Sequence, residues 1–253
     1  MTDSDDAATA EPDLSIRKPP RILVPVAVLE GETIPDPLVD FLAPSEVVVL
    51  GYHVLPEQTP TEQASLQYEE RAMEAVDDIA AAFTRVGGAV ETRVAFTHDR
   101  DKTLERVAAE EGATAVLLPN PTAHVEEILV PLRGAIDVDR LADLVATLVG
   151  DARVTLWAIP PADSDVTAQD LLDDAVTTLR DRGLPDAQLR TESATVEWPT
   201  RAVVDRSADF DVIVMGEGER TLLTTVLGET TERIAEGAVA PVLVVRGRER
   251  EGE

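Results

Sequence analysis

The residues of this 253-residue chain best suited to chemistry follow one apolar run, Val212-Ile213-Val214-Met215. Gly216, Gly218 and Gly228 come next, then Glu229 and Thr230, and the spacing predicts a glycine-containing loop and a helix that ends near Gly237. A glycine loop leading into a helix N-terminus presents backbone N–H groups to an anion, so the chemistry it offers is phosphate binding. Other groups fall short of a reacting constellation. His53, His98 and His124 follow different elements without ligand spacing and are expected to be loop histidines, so no metal is assigned. Asp77-Asp78, Glu110-Glu111 and Asp173-Asp174 are expected to be solvated helix faces rather than acid–base pairs. Ser193, Ser207 and Thr224-Thr225 have no evident base and no glycine-flanked elbow, so no catalytic residue is assigned. Trp157 and Trp198 are expected in the core or at an interface.

Composition narrows the classes further. The formal charge is -27, from 49 acidic side chains against 22 Lys and Arg, which excludes binding to a phosphate backbone. Only Lys18 and Lys102 are lysines, a pattern resembling the proteins of salt-in halophiles, where concentrated salt screens self-repulsion. With no cysteine there is no disulfide framework and no thiol nucleophile. No apolar run reaches the roughly 20 residues of a bilayer span and no secretion signal is visible, so the chain is expected to be cytoplasmic.

The elements that must position the glycine loop occur twice. Ile22-Leu23-Val24-Pro25 recurs as Ile128-Leu129-Val130-Pro131, each a β-branched run stopped by proline. Val47 to Val54 and Val154 to Ile159 are second apolar runs, each followed by proline and a long helical stretch. Met73, Val76, Ala80 and Phe83 set the apolar period of the first such helix, and Leu172, Val176 and Leu179 that of the second. Thr103 to Pro119 and Thr200 to Gly216 are both 17-residue stretches of helix running into strand. Strands alternating with helices imply right-handed crossovers and a parallel sheet covered on both faces, hence two tandem doubly wound α/β domains. After Pro119 only Asn120 to Glu127 remain before the second Ile-Leu-Val-Pro, too few for another crossover, so the first copy stops at four strands. The second adds a fifth strand, Pro241 to Val245. The predicted organisation is an acidic disordered tail over 1–20, a truncated domain over 21–124, a complete one over 125–246 and a frayed end over 247–253. The open edge of the four-stranded copy needs a cover, supplied either by the second copy or by a partner chain.

Val212 to Gly216, Leu222-Leu223, Gly228, Glu232-Arg233 and Ala240-Pro241-Val242-Leu243-Val244-Val245 resemble the C-terminal signature of the universal stress protein (UspA-like) family. The two Ile-Leu-Val-Pro openings and His53-Val54-Leu55-Pro56-Glu57 are similar to that family's opening strands, and the likeness spans about residues 21 to 246. It points to the tandem form of haloarchaeal type. The resemblance implies an adenine nucleotide alpha hydrolase-like fold of strand order 3-2-1-4-5, dimerisation often through the last strand, and in some members ATP held where strands one and four separate. Ligands of open α/β sheets sit at that topological switch point on independent grounds. The candidate nucleotide site is therefore Pro131, Leu132 and Arg133 on one side, with Met215, Gly216, Gly218, Gly228, Glu229 and Thr230 on the other.

The resemblance also shows this site as degenerate. The family's ATP binders carry a glycine, two residues, a second glycine, nine residues, then glycine and a hydroxyl residue. Here the first interval is one residue short and Glu229 takes the hydroxyl position. A carboxylate there repels phosphate, or it serves only as a favourable first-turn residue for the helix dipole. Arg133 either pairs with Glu229 across the switch point or both are solvated. The aspartate that nucleotide binders place after strand one is missing from Val26-Ala27 and from Leu132-Arg133 alike. The expected function is a non-catalytic regulatory or stress-response protein, a homodimer or an intramolecular pseudo-dimer, with ATP or AMP as the only candidate cofactor. The alternatives are an ATP-hydrolysing or adenylate-transferring enzyme on the same fold, and a cytosolic regulatory partner of a membrane transporter.

Overall fold

The computed structural model describes residues 20–134, 137–161, 164–216 and 238–247. The expectations for the two tails, and for Gly218, Gly228, Glu229 and Thr230, lie outside the described residues. The first half runs β1 (Arg21–Ala27), α1 (Asp36–Leu42), β2 (Glu46–Val54), α2 (Thr61–Arg85), β3 (Ala89–Thr97), α3 (Arg100–Glu110) and β4 (Ala115–Leu118). The second runs β5 (Glu127–Leu132), α4 (Val138–Leu148), β6 (Arg153–Ala158), α5 (Ala168–Asp181), β7 (Leu189–Ser193), α6 (Pro199–Arg206), β8 (Val212–Gly216) and β9 (Val242–Val245).

These strands form one nine-stranded sheet in the order β3-β2-β1-β4-β9-β8-β5-β6-β7. Each half thus has the expected order 3-2-1-4, with a fifth strand in the second half alone. β9 runs parallel to β8, pairing Ile213 with Val242 and Gly216 with Val245. It runs antiparallel to β4, pairing Ala115 with Val245 and Leu118 with Val242. Both edges of β9 are therefore occupied, and the open edge of the first half is covered by the last strand of the second. Because that one junction is antiparallel, the C-terminal strand ends of the two halves face opposite ends of the sheet.

Alternation along the strands covers both faces. Ile22, Val24 and Val26 join Leu38 and Leu42 of α1, Val76 and Phe83 of α2, Leu141 and Val145 of α4 and Leu179 of α5 in one continuous core. On the other face Leu23, Val48 and Leu50 meet Leu104 and Val107 of α3, while Leu129, Trp157 and Ile213 meet Val203 of α6. Burying each large aliphatic side chain in this way contributes about 1.5–3 kcal/mol, which lets a chain with few aromatics hold a core. α2 lies so close on β2 that a Cβ at Gly51 would stand 2.4 Å from a Val76 methyl.

Three details differ from the sequence expectation, those of α2, His53 and Glu111. The core face of α2 is Ala72, Val76, Ile79 and Phe83, so Val76 and Phe83 are buried as expected while Ala72 and Ile79 take the places of the exposed Met73 and the half-buried Ala80. His53 stands within β2 rather than in a loop. Trp198, expected in the core or at an interface, is 68% exposed beside α6 and so is not in the core. Glu111 is 9% exposed and accepts hydrogen bonds from Arg93 at 2.6 Å and Arg21 at 3.0 Å, so it is not part of a solvated face. In the second half Arg182, 3% exposed, donates to Asp143 at 2.6 Å and Asp139 at 2.8 Å and ties the end of α5 to α4. Asp143 foremost holds this guanidinium charged against its burial, raising its pKa.

Candidate functional site

Each half opens a crevice by the same device. β5 and β8 pair only through Ile128–Val212 and Leu129–Ile213, and β1 and β4 only through Ile22–Ala115 and Leu23–Val116. Beyond those two rungs the strands part, leaving a switch point at their C-terminal ends. In the second half this brings together Pro131, Leu132 and Arg133 from β5 and the loop after it with Met215 and Gly216 at the end of β8. Pro131, Leu132, Met215 and Gly216 are buried and Arg133 is half-buried. The Leu132 carbonyl accepts the Ile159 N–H at 2.8 Å. The phosphate-holding part of the expected site falls on residues outside the described ones, as does any pairing of Arg133 with Glu229.

The first-half crevice contains groups that sequence reasoning missed. After β1 the chain makes a 3₁₀ turn, Val28–Glu30, and Gly31 takes a left-handed φ of 78°. That reversal returns the Glu32 carboxylate to the strand end, where it accepts the Ala27 N–H at 2.6 Å. A carboxylate thus stands at the end of strand one after all, supplied from five residues downstream. The only sequence signal was Gly31 within an acidic turn. At the neighbouring strand end the Arg100 guanidinium lies 5.5 Å from the centre of the Tyr52 ring. Burial pushes the Tyr52 hydroxyl above its ordinary pKa, with Arg100 opposing and Glu32 and Glu30 reinforcing the shift. The mouth beside β4 is lidded by the second half: Leu118 packs with Ala238 and Ala240, and the Asn120 amide donates to the Ala240 carbonyl at 3.2 Å.

The three histidines have separate partners. The His53 ring is edge-on to Tyr68 and Phe96, with centroids 6.3 and 6.5 Å away. His98 Nε2 is 2.9 Å from the Thr59 carbonyl, and His124 Nε2 is 3.4 Å from Asp211. Among the described residues no group of three or more His, Cys, Asp or Glu is arranged to hold a metal ion. Trp157 is buried, and the Arg206 guanidinium stacks 4.6 Å from its ring centre while donating to Glu192 at 2.8 Å. Among the described residues no helix is long and apolar enough to cross a membrane.

Fold and crevices together define an open, mostly parallel α/β sheet protein whose two halves share one strand order. The structure is similar to that of a universal stress protein from Archaeoglobus fulgidus DSM 4304, with a TM-score of 0.52, 16% identity, and 89% of this chain and 98% of that one covered. At that identity the likeness is one of fold. A functionally unknown protein from Pseudomonas aeruginosa PAO1 aligns at a TM-score of 0.47 and 18% identity, over 90% of this chain and 92% of its own. A universal stress protein in complex with cAMP aligns at 0.36 and 18% identity, over 47% of this chain and 95% of its own. No protein-family model matches the chain. No curated protein matches it in sequence.

Proposed function

We propose that this chain is a non-catalytic regulatory protein of the universal stress type, in which the family's dimer is replaced by two halves paired within one polypeptide. The observation that carries this is the double pairing of β9, which closes the first half antiparallel through β4 while completing the second half through β8. A strand with both edges paired has none left for a partner's last strand, which supports a single chain as the working unit. Its second-half crevice keeps the frame of an adenine nucleotide site with no carboxylate at Leu132-Arg133 and with Glu229 at the phosphate position, and it holds ATP or AMP weakly or not at all. The same two departures count against turnover. In the first half the strand-end N–H of Ala27 is already taken by Glu32 and no phosphate loop follows Pro119.

Native mass spectrometry of freshly purified protein in concentrated salt tests both parts together. The expected species is one chain of 27.2 kDa without nucleotide. A retained ATP or AMP would overturn the degenerate site, and a homodimer would overturn the single-chain unit.

A further inference from the structure

The exposed side of α2 carries apolar side chains with nothing packed over them. Leu66 is 90% exposed and Met73 49%, and their spacing of seven residues places them on one line about 10.5 Å apart along the helix. Shallow depressions of about 490 and 580 Å³ flank Leu66, the first bordered by Phe96 of the edge strand β3, the second by Met73. The rim of the second is wholly acidic, with Glu70, Glu74 and Asp77 on the same side of the helix as the two apolar residues. On a strongly acidic surface isolated carboxylates mean little. A Leu–Met seam inside an acidic rim on an unpartnered helix is a different arrangement, since it combines apolar area with one sign of charge.

We propose that this face of α2 docks a basic amphipathic helix from a partner protein. The partner's apolar ridge would lie on Leu66 and Met73 at the same seven-residue period, and its Lys and Arg side chains would meet Glu70, Glu74 and Asp77. Charge decides the occupant. A second copy of this chain would bring the same carboxylates face to face, with like charges opposed across the seam. The proposal rests on α2 alone and stands whether or not a nucleotide binds.

A test uses the full chain and a fluorescein-labelled synthetic 18-residue helical peptide, with leucine at positions i, i+4 and i+7 and lysine elsewhere. Anisotropy is followed in 0.5 M salt, where general attraction to an acidic protein is screened. Leu66 and Met73 are surface residues, so the Leu66→Ser, Met73→Ser double variant should fold and should bind at least tenfold more weakly. Glu70→Gln, Glu74→Gln, Asp77→Asn should weaken binding to a similar degree, and Val166→Ser, which alters an exposed apolar residue elsewhere, should leave it unchanged. Failure of the unaltered chain to bind, or equal affinity of the Leu66, Met73 variant, would overturn the proposal. So would an equal loss with Val166→Ser. A wild-type dimer in sedimentation that this double variant converts to monomer would assign the face to a second copy instead.

Discussion

The two halves share a strand order and a way of opening a crevice, yet they close it differently. In the first, the strand-end N–H is capped from within by Glu32, and the mouth beside β4 is lidded by Ala238 and Ala240 of the other half. In the second, β5 ends on Leu132, followed by Arg133 with no carboxylate, and Met215 and Gly216 stand at the end of β8. Two halves of like strand order therefore differ in what stands at the end of strand one, a carboxylate in the first and none in the second.

That contrast can be broken most severely at the strand both halves share. Leu243 is fully buried in the core beneath β9, and Leu243→Ala should cost about 3 kcal/mol. Because β9 belongs to both halves, urea unfolding followed by far-UV circular dichroism should move to a lower midpoint in one step. Two resolved transitions would show that the halves do not share their stability through this strand. A smaller effect separates the crevices. Glu32→Ala removes a charged acceptor from the Ala27 N–H and should cost about 1.5 kcal/mol. It should create no ATP affinity in calorimetric titration, since the first half has no phosphate loop; heat of binding at the vacated position would contradict its supporting role.

The smallest effect concerns acid. The Arg93 guanidinium foremost holds the Glu111 carboxyl below its ordinary pKa, with burial opposing and Arg21 reinforcing the shift. A carboxylate depressed by folding stabilises above its unfolded pKa of about 4.3, and that contribution is lost as pH falls through the folded value. Glu111→Gln should therefore flatten the decline of thermal stability between pH 5 and 2.5. An unchanged slope would place the acid sensitivity elsewhere.

Much of this frame was legible in the residues. The two Ile-Leu-Val-Pro runs and the final Val-Leu-Val-Val are local patterns of buried strands, and they lie in β1, β5 and β9, while no further strand of the first half follows Pro119 before β5. Partners were less legible than elements. Nothing in Val242 to Val245 indicates that β4 lies on one side of it and β8 on the other, because an all-apolar strand suits either neighbour in either direction. β3 was counted among the four strands but not located, because an edge strand alternates charge with apolar residues, and its Glu91 and Arg93 look like surface until Arg21 and Glu111 are seen beside them. Glu32 was hidden for another reason: its role arises from a chain reversal at Gly31, which no apolar period reports. The site itself was only half legible, since Pro131 to Arg133 and Met215-Gly216 do converge while the remaining candidates lie outside the described residues.

The pairing of Ala115 with Val245 also sets a schedule. Roughly 130 residues separate the two rows of that ladder, and at about 5–20 residues per second a ribosome needs on the order of ten seconds to make them. For that interval the newly made first half carries an uncovered β4 edge, the kind of template on which nascent chains associate.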